Sequence, residues 1–490
     1  MAIYTGVISL VIAATMPALF SIAVPNLASD GHAITSLNVA VSRTFCGAPS
    51  ATSSDDSGKP LFRAPADSDR PVRQIIDARW GSLARYCSTL THPFMNNENS
   101  LMLLESWTWR VAPNLSLLGI GRVLLALKIA LLVFFCAVFL RVGAGVVLSF
   151  AIVDAAAALV GKLQPLYAYS AYSFLLCLVL ATIAIYPLML TLSERSRMRT
   201  LVWPAVAGIW SAFVVNMRTS YLPICVACAL IYVCAVLVEP RDAFTRARHR
   251  LRHVAVAGLL FLAGYASFQY VLIAKSRPEG TNNLSYHTLF HPLVLSIGLP
   301  VNEFSQREGI EWDDGVGLTL AHRVNPSAIY LTKDYEEALR TYYFSLWKRY
   351  PAEMSRVYLE KAELAGTEMM ELRDVPNPAV SFARRLLSAA PNGLWLLSLL
   401  VGFTVVPGWM LFHRRNRPLL LPMTLMGTAG TMLMIESMLI VPRYYLTYHS
   451  PLLLLYCALV FVLIQFAFNA LVRVLAPAAA GQLRMPNPAG

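Results

Sequence analysis

SYHTLFHPLVLSIGLPVNEFSQREGIEWDDGVGLTLAHRVNPSAIYLTKDYEEALRTYY, residues 285–343, is the stretch that decides the fold. It lies inside a polar block, residues 275–390, that has long apolar segments on both sides. A polar block of this length between apolar segments favours a unit that stands outside an apolar body and covers a polar site. We therefore expect it to form a small, mainly helical cap.

The second half of this block carries local helix signals. Thr332 is a suitable N-cap, and the acidic residues that follow it suit the positive end of a helix dipole. An aromatic stripe at helical spacing comes next, which is typical of packing; its members are Tyr335, Leu339, Tyr342, Tyr343, Leu346 and Trp347. Pro351 fits the first position of a second helix, which we expect to end near residue 373.

The composition indicates an integral membrane protein. Hydrophobic residues make up 57% of the 490 residues and charged residues only 14%, whereas about a quarter of a soluble protein is charged. The net charge of +12 does not indicate nucleic-acid binding, because the Lys and Arg residues cluster between apolar runs instead of forming a continuous basic face.

Hydropathy predicts ten membrane-spanning helices. The apolar segments are residues 7–27, 115–140, 142–161, 166–192, 200–217, 220–239, 253–274, 391–412, 418–440 and 447–471. With the N-terminus in the cytoplasm, the inner connections hold 14 Lys and Arg residues and the short outer connections hold three. This bias predicts a multi-pass protein of the prokaryotic plasma (inner) membrane, with both long loops on the outer face.

The predicted topology divides the chain into six parts. They are a first transmembrane helix (1–27), a first outer loop with amphipathic surface helices (28–114), transmembrane helices 2 to 7 (115–274), an outer cap domain (275–390), transmembrane helices 8 to 10 (391–471) and a cytoplasmic tail (472–490). Three pieces of the first loop are amphipathic and predict short helices at 33–45, 72–86 and 99–111.

Two cysteines, Cys46 and Cys87, lie in this first loop. They would pair in an oxidising compartment and would otherwise stay free thiols, and the sequence does not choose between the two. Cys225 and Cys228 lie in an apolar run, where cysteine behaves as a small hydrophobic residue.

Two arginines break the predicted charge bias, because Arg218 and Arg443 each sit in a tight outer turn. The planar guanidinium binds phosphate in a bidentate manner, so a lipid phosphate or pyrophosphate is the expected partner. Ordinary lipid headgroups are the alternative. Asp30 follows the first apolar segment and is a candidate proton acceptor for a hydroxyl, or else a helix cap. Glu98 is a weaker candidate for the same role.

The central block offers further candidates. His287 and His291 are four residues apart, which would place both on one face of a helix as zinc sites require, but Pro292 disfavours a helix there. Asp313 and Asp314 are consistent with a divalent-cation site or with an Asx turn before Gly315, and the turn is favoured. No metal or other cofactor is otherwise indicated.

The order of these elements resembles the C-type glycosyltransferase (GT-C) superfamily. Arg218-Thr-Ser-Tyr221 is similar to an Arg-x-x-Tyr element of some members, and Arg443-Tyr444-Tyr445 to the text that enters their last helices. The resemblance implies that Asp30 is the general base. Many members have a paired acid there, whereas Asp30 is flanked by serine and glycine, and Glu98 is the alternative.

The resemblance further implies an enzyme that moves a sugar from a polyprenyl-phosphate donor to a glycan or glycolipid acceptor of the cell envelope. Arg218, Tyr221, Arg443 and Tyr444, with His287 and His291, would then bind the substrates. The alternatives are an enzyme like the O-antigen ligases or polymerases, a transporter of lipid or polysaccharide, and a non-catalytic scaffold.

Overall fold

The computed structural model describes the chain in separate stretches. They are residues 31–47, 69–90, 99–124, 197–217, 221–238, 245–271, 289–330, 332–370 and 417–440, with a few further residues at 61–67, 126–134, 181–185, 397–408 and 462–470. The described parts are mainly helical, and an isolated antiparallel bridge joins Pro71 to Ser116. The expectation of an all-α chain agrees with these stretches.

The prediction of about ten transmembrane helices is wrong for the described residues, in which no helix is both long enough and apolar enough to cross a membrane. The multi-pass topology, with a cytoplasmic N-terminus and a plasma-membrane location, depended on those helices and is corrected with them. Predicted segments 7–27 and 142–161, most of the residues of 166–192, 391–412 and 447–471, and the second part of 115–140 lie outside the described residues.

Length and polar ends explain the correction. The helix in the sixth predicted segment, Leu222–Val238, is strongly apolar, but its 17 residues rise only about 26 Å, whereas the hydrocarbon layer is about 30 Å thick. The 25-residue helix Thr245–Gln269 carries Arg246, Arg248, Arg250 and Arg252 in its first eight positions. The mean hydropathy of the predicted segments is high because they are rich in apolar residues. An average of this kind does not show that polar residues at the ends shorten the apolar stretch.

Four helices form an N-terminal unit: α1 (Gly31–Phe45), α2 (Val72–Trp80), α3 (Leu83–Ser88) and α4 (Asn99–Val111). The helices expected at 33–45, 72–86 and 99–111 are thereby confirmed, with a break at Gly81, whose φ of 74° suits glycine. Cys46 and Cys87 form a disulfide. The Thr44 hydroxyl on α1 lies 3.0 Å from the Ser106 hydroxyl on α4.

Farther along the described part of the chain lie α5 (Arg197–Met217), α6 (Leu222–Val238) and α7 (Thr245–Gln269). Two glycines bring α5 and α7 together, since a Cβ on Gly208 would lie 2.0 Å from the Phe261 carbonyl oxygen and one on Gly264 would lie 2.2 Å from that of Ala205. Cys225 and Cys228 are buried in α6 and are not disulfide-bonded, as a core position predicts. Burial raises the pKa of Cys225 to about 12, so this thiol stays protonated at neutral pH.

The central domain, residues 290–370, consists of five helices and a 3₁₀ turn. They are α8 (Phe290–Leu295), the turn Ser296–Gly298, α9 (Glu303–Glu308), α10 (Asp314–His322), α11 (Lys333–Arg349) and α12 (Pro351–Met370). The predicted aromatic stripe is confirmed as packing, because Tyr335, Leu339, Tyr342, Tyr343 and Leu346 are buried in one hydrophobic cluster. Pro351 begins α12 as predicted, and the expected end near residue 373 lies outside the described residues. After a gap, α13 (Arg417–Leu439) packs against α12.

Thr332 caps α11, since its hydroxyl accepts a hydrogen bond from the Tyr335 amide. Replacing it with alanine is expected to lower the free energy of unfolding by about 1 kcal/mol, because the amide loses its acceptor. Thr341→Ala, at an exposed position of the same helix, is the control and should leave stability unchanged or slightly raised. Chemical denaturation of the two variants checks this, and equal stabilities would contradict the capping role.

Candidate functional site

A polar network joins α8, α10 and α11 of the central domain. His291 lies on α8, Asp314 is the first residue of α10, and Tyr335 lies on the first turn of α11. Tyr330 precedes α11 and lies with its ring centroid 5.9 Å from that of His291. The network thus brings together side chains that are up to 44 residues apart in the chain.

Asp313 and Asp314 are neighbours with different tasks. The Asp313 carboxylate accepts hydrogen bonds from the amides of Gly315 and Val316, at 2.8 and 3.2 Å, and caps α10. The predicted Asx turn is confirmed by this contact. Asp314 turns away from the helix start, with 75% of its side chain exposed. Asp313 has the extended backbone of an N-cap residue, with φ −146° and ψ 136°, whereas Asp314 is already the first helical residue, which explains why only Asp313 caps the helix.

The Asp314 carboxylate is held from two sides. His291 Nε2 lies 3.3 Å from Asp314 Oδ1, and Tyr330 lies close enough to the same carboxylate that, besides burial, the negative charge of Asp314 raises the pKa of Tyr330. Both contacts leave most of the carboxylate open to solvent. Asp314 is therefore an oriented carboxylate with free acceptor capacity.

His291 connects Asp314 to the interior. Its Nδ1 lies 2.5 Å from the hydroxyl of Tyr335, which is fully buried. Because a carboxylate only accepts hydrogen bonds, Nε2 carries the proton and Nδ1 accepts from the tyrosine. Burial lowers the pKa of His291 against the opposing effect of Asp314, which favours this neutral imidazole.

The two tyrosines act as hydroxyl donors. Burial raises the pKa of Tyr335 well above its usual value, and nearby Tyr330 adds to this effect. Burial also raises the pKa of Tyr330, with a contribution from the negative charge of Asp314. Both side chains therefore stay protonated at neutral pH, and neither is a nucleophile.

Glu336 fixes the backbone that carries His291. Its carboxylate accepts hydrogen bonds from the amides of Leu289, Phe290 and His291, with N to O distances of 2.5, 2.6 and 3.4 Å. These amides belong to the start of α8 and have no partner within the helix. Burial raises the pKa of Glu336, and the three hydrogen bonds oppose that rise.

Gly317 is the point at which α10 approaches the network. A Cβ there would lie 2.6 Å from the Tyr335 hydroxyl and 3.2 Å from His291 Nδ1. The hydrogen bond between His291 and Tyr335 therefore requires glycine at this position.

The structure unites only some of the predicted site residues. His291 and Asp314 meet, whereas Tyr221 is buried at the start of α6. His291 lies in a helix despite Pro292, because proline in a first turn displaces no intrahelical hydrogen bond. The remaining predicted site residues lie outside the described residues; they are Asp30, Glu98, His287, Arg218, Arg443 and Tyr444.

A metal site finds no support in the described stretches, in which no group of three His, Cys, Asp or Glu side chains could hold an ion. Sequence reasoning missed Tyr330 and Glu336 as members of the network. Tyr335 was predicted only as a packing residue, since helical spacing does not show which group its hydroxyl will hydrogen-bond. A spacing signal for these contacts does not exist, because the partners come from separate helices.

Comparisons with known proteins gave no relatives: no protein family, curated protein or solved structure matches this chain. The resemblance to the C-type glycosyltransferases stays a prediction without support from homologues. The expectation of a multi-pass transmembrane protein is corrected by the described helices, none of which could cross a membrane.

Proposed function

We propose that the protein transfers a sugar from a phosphate-linked donor to a hydroxyl of a glycan or glycolipid acceptor, with Asp314 as the general base. The observation that supports this most is the state of Asp314, whose carboxylate lies 3.3 Å from His291 Nε2 and beside Tyr330 while 75% of its side chain stays exposed. A base for an acceptor hydroxyl needs both properties, since it must be held in place and still reach the substrate.

The acceptor oxygen attacks the anomeric carbon, the bond between that carbon and the donor phosphate oxygen breaks, and the phosphate leaves with the electron pair. The Asp314 carboxylate takes up the proton of the acceptor hydroxyl. His291 and Tyr330 hold the carboxylate throughout the step, and the buried Tyr335 holds His291.

The polyprenyl-phosphate donor is the part that comes from the family resemblance. Arg218 and Arg443 would bind its phosphate, and both lie outside the described residues. Asp30 or Glu98 was the base that the resemblance implied. Asp314 takes that role in the proposal because its carboxylate is positioned beside His291 and is open to solvent.

The test uses the full chain and a synthetic polyprenyl-phosphate hexose dispersed in nonionic detergent, with a panel of alkyl glycosides as acceptors. Mass spectrometry measures the released polyprenyl phosphate and the extended glycoside. Asp314→Asn is expected to lower turnover at least about 100-fold, since an amide does not accept a proton at neutral pH.

Asp334→Asn is the matched control, because Asp334 is also an exposed aspartate in the first turn of a helix. It should keep turnover within about twofold of the unchanged protein, as a surface substitution away from the site does. Absence of sugar transfer by the unchanged protein would overturn the proposed function. Equal turnover in Asp314→Asn and Asp334→Asn would overturn the role of Asp314.

A further inference from the structure

Lys361 is a fully buried lysine at the junction of three segments. It lies on α12, and its Nζ is 2.7 Å from the Ser296 hydroxyl of the 3₁₀ turn. The same nitrogen is 2.7 Å from the carbonyl oxygen of Leu439 and 3.1 Å from that of Ile440. Lysine is rarely buried in this way without a carboxylate partner.

The two carbonyls belong to the C-terminal end of α13. The last carbonyls of a helix have no partner within the helix, and they form the negative end of its dipole. Lys361 supplies the missing donors from a helix that lies 78 residues earlier in the chain. The Ser296 hydroxyl oxygen also lies 3.3 Å from the Leu439 carbonyl oxygen, which places the 3₁₀ turn directly at this junction.

Both protonation states of Lys361 can satisfy these oxygens. A charged ammonium has three protons for the three oxygens, while the Ser296 hydroxyl donates to the Leu293 carbonyl 2.9 Å away. A neutral amine has two protons for the two carbonyls and a lone pair for the Ser296 hydroxyl. The junction can therefore lose or gain a proton without leaving a buried polar atom unpaired.

The surroundings of Lys361 contain few charges. On α12 the Tyr358 ring lies below the nitrogen, with its centroid 4.8 Å away, and Tyr343 of α11 bonds the Tyr358 hydroxyl. On α13 the nearest acidic residue in sequence is Glu436, whose backbone carbonyl accepts from the Ile440 amide. Within the described stretches, Lys361 forms no ion pair with a carboxylate. Burial lowers the pKa of Lys361 from 10.5 to about 7.

We propose that Lys361 is a proton-controlled latch that holds the central domain against the end of α13 and releases it more readily as the pH falls. Opening the junction exposes Lys361 to water, where an ammonium is stable, so the open state binds a proton more tightly than the closed state. Protons therefore favour opening from about pH 10.5 down to about pH 7. Below about pH 7 both states are protonated, and the equilibrium stops changing.

Hydrogen exchange of the full chain at pH 7, 8 and 9, corrected for intrinsic rates, measures this opening in peptides that cover α12 and the end of α13. The protection factors of these peptides should rise about fivefold between pH 7 and 8 and about tenfold between pH 8 and 9. These factors follow because closing the junction releases one proton from Lys361. Peptides from α5 to α7 report whether the gain is confined to the junction.

Two variants separate the latch from a plain structural role. Lys361→Met keeps a similar length without a titrating group, and Lys361→Arg stays charged throughout this range. Both should show protection that is independent of pH between 7 and 9. If the unchanged protein shows no such gain, or if both variants keep it, the latch is overturned. Should Lys361→Met fail to fold, Lys361→Arg alone decides between these outcomes.

Discussion

Replacing Cys46 and Cys87 with serine is expected to lower the free energy of unfolding of the N-terminal unit by about 3–4 kcal/mol. The disulfide closes a loop between residues 41 positions apart, and a cross-link of that length removes much of the conformational freedom of the unfolded chain. The bond ties the end of α1 to α3, so its loss should loosen the contact of α1 with α4 as well. Hydrogen exchange of peptides from α1 to α4, with chemical denaturation, measures the effect.

Single replacements provide the internal control. Cys46→Ser and Cys87→Ser should each cost as much as the double replacement, because either one removes the whole bond. Reductant should destabilise the unchanged protein and leave the double variant unaffected. Cys225→Ser is the control, because Cys225 is buried in α6 and takes no part in a disulfide. This variant should respond to reductant in the same way as the unchanged protein. A stabilising disulfide would be contradicted if the double replacement lowered the free energy of unfolding by less than about 1 kcal/mol.

The sequence predicted those parts of the structure that depend on near neighbours. The Thr332 cap, the Asx turn at Asp313 and the start of α12 at Pro351 each depend on residues within four positions, and all three are confirmed. The aromatic stripe of α11 was equally predictable, since helical spacing alone puts its residues on one buried face.

Contacts between separate helices were not predictable in this way. His291 meets Tyr335 across 44 residues, and Lys361 meets Leu439 across 78. The pairing depends on how α8, α11, α12 and α13 pack, and a single sequence carries no signal for that packing. The candidate base illustrates the same limit, because Asp313 and Asp314 look alike in the sequence and differ in that Asp313 is the extended N-cap residue and Asp314 the first residue of α10.

The error over membrane spans has a different physical origin. Average hydropathy is a property of composition, whereas crossing a bilayer also requires an uninterrupted apolar length of about 30 Å. In α6 the apolar stretch is too short, and in α7 it begins only after four arginines. The resemblance to membrane glycosyltransferases depended on that layout, so the proposed function now depends on the polar network of the central domain.

Gly317→Ala is expected to destabilise the central domain by about 1–3 kcal/mol and to reduce sugar transfer. The added methyl group would lie 2.6 Å from the Tyr335 hydroxyl, and the fully buried ring of Tyr335 has no room to withdraw. Moving the hydroxyl would break its hydrogen bond with His291, and His291 would then hold Asp314 less firmly. Gly258→Ala on α7 is the control, since nothing lies within 4 Å of its added methyl group, and it should be neutral or stabilising.

A second substitution tests whether the clash with this one hydroxyl is the cause. Tyr335→Phe removes the oxygen that the new methyl group would meet, so the double variant Gly317→Ala/Tyr335→Phe should be more stable than the sum of the single effects predicts, by about 1 kcal/mol or more. Tyr335→Phe alone should cost about 1 kcal/mol, because His291 Nδ1 loses its donor. Stability should therefore recover in the double variant while sugar transfer stays low, since His291 remains without its partner. Additive losses of stability would mean that Gly317 and Tyr335 act independently, and the close approach of α10 would then not be what positions His291.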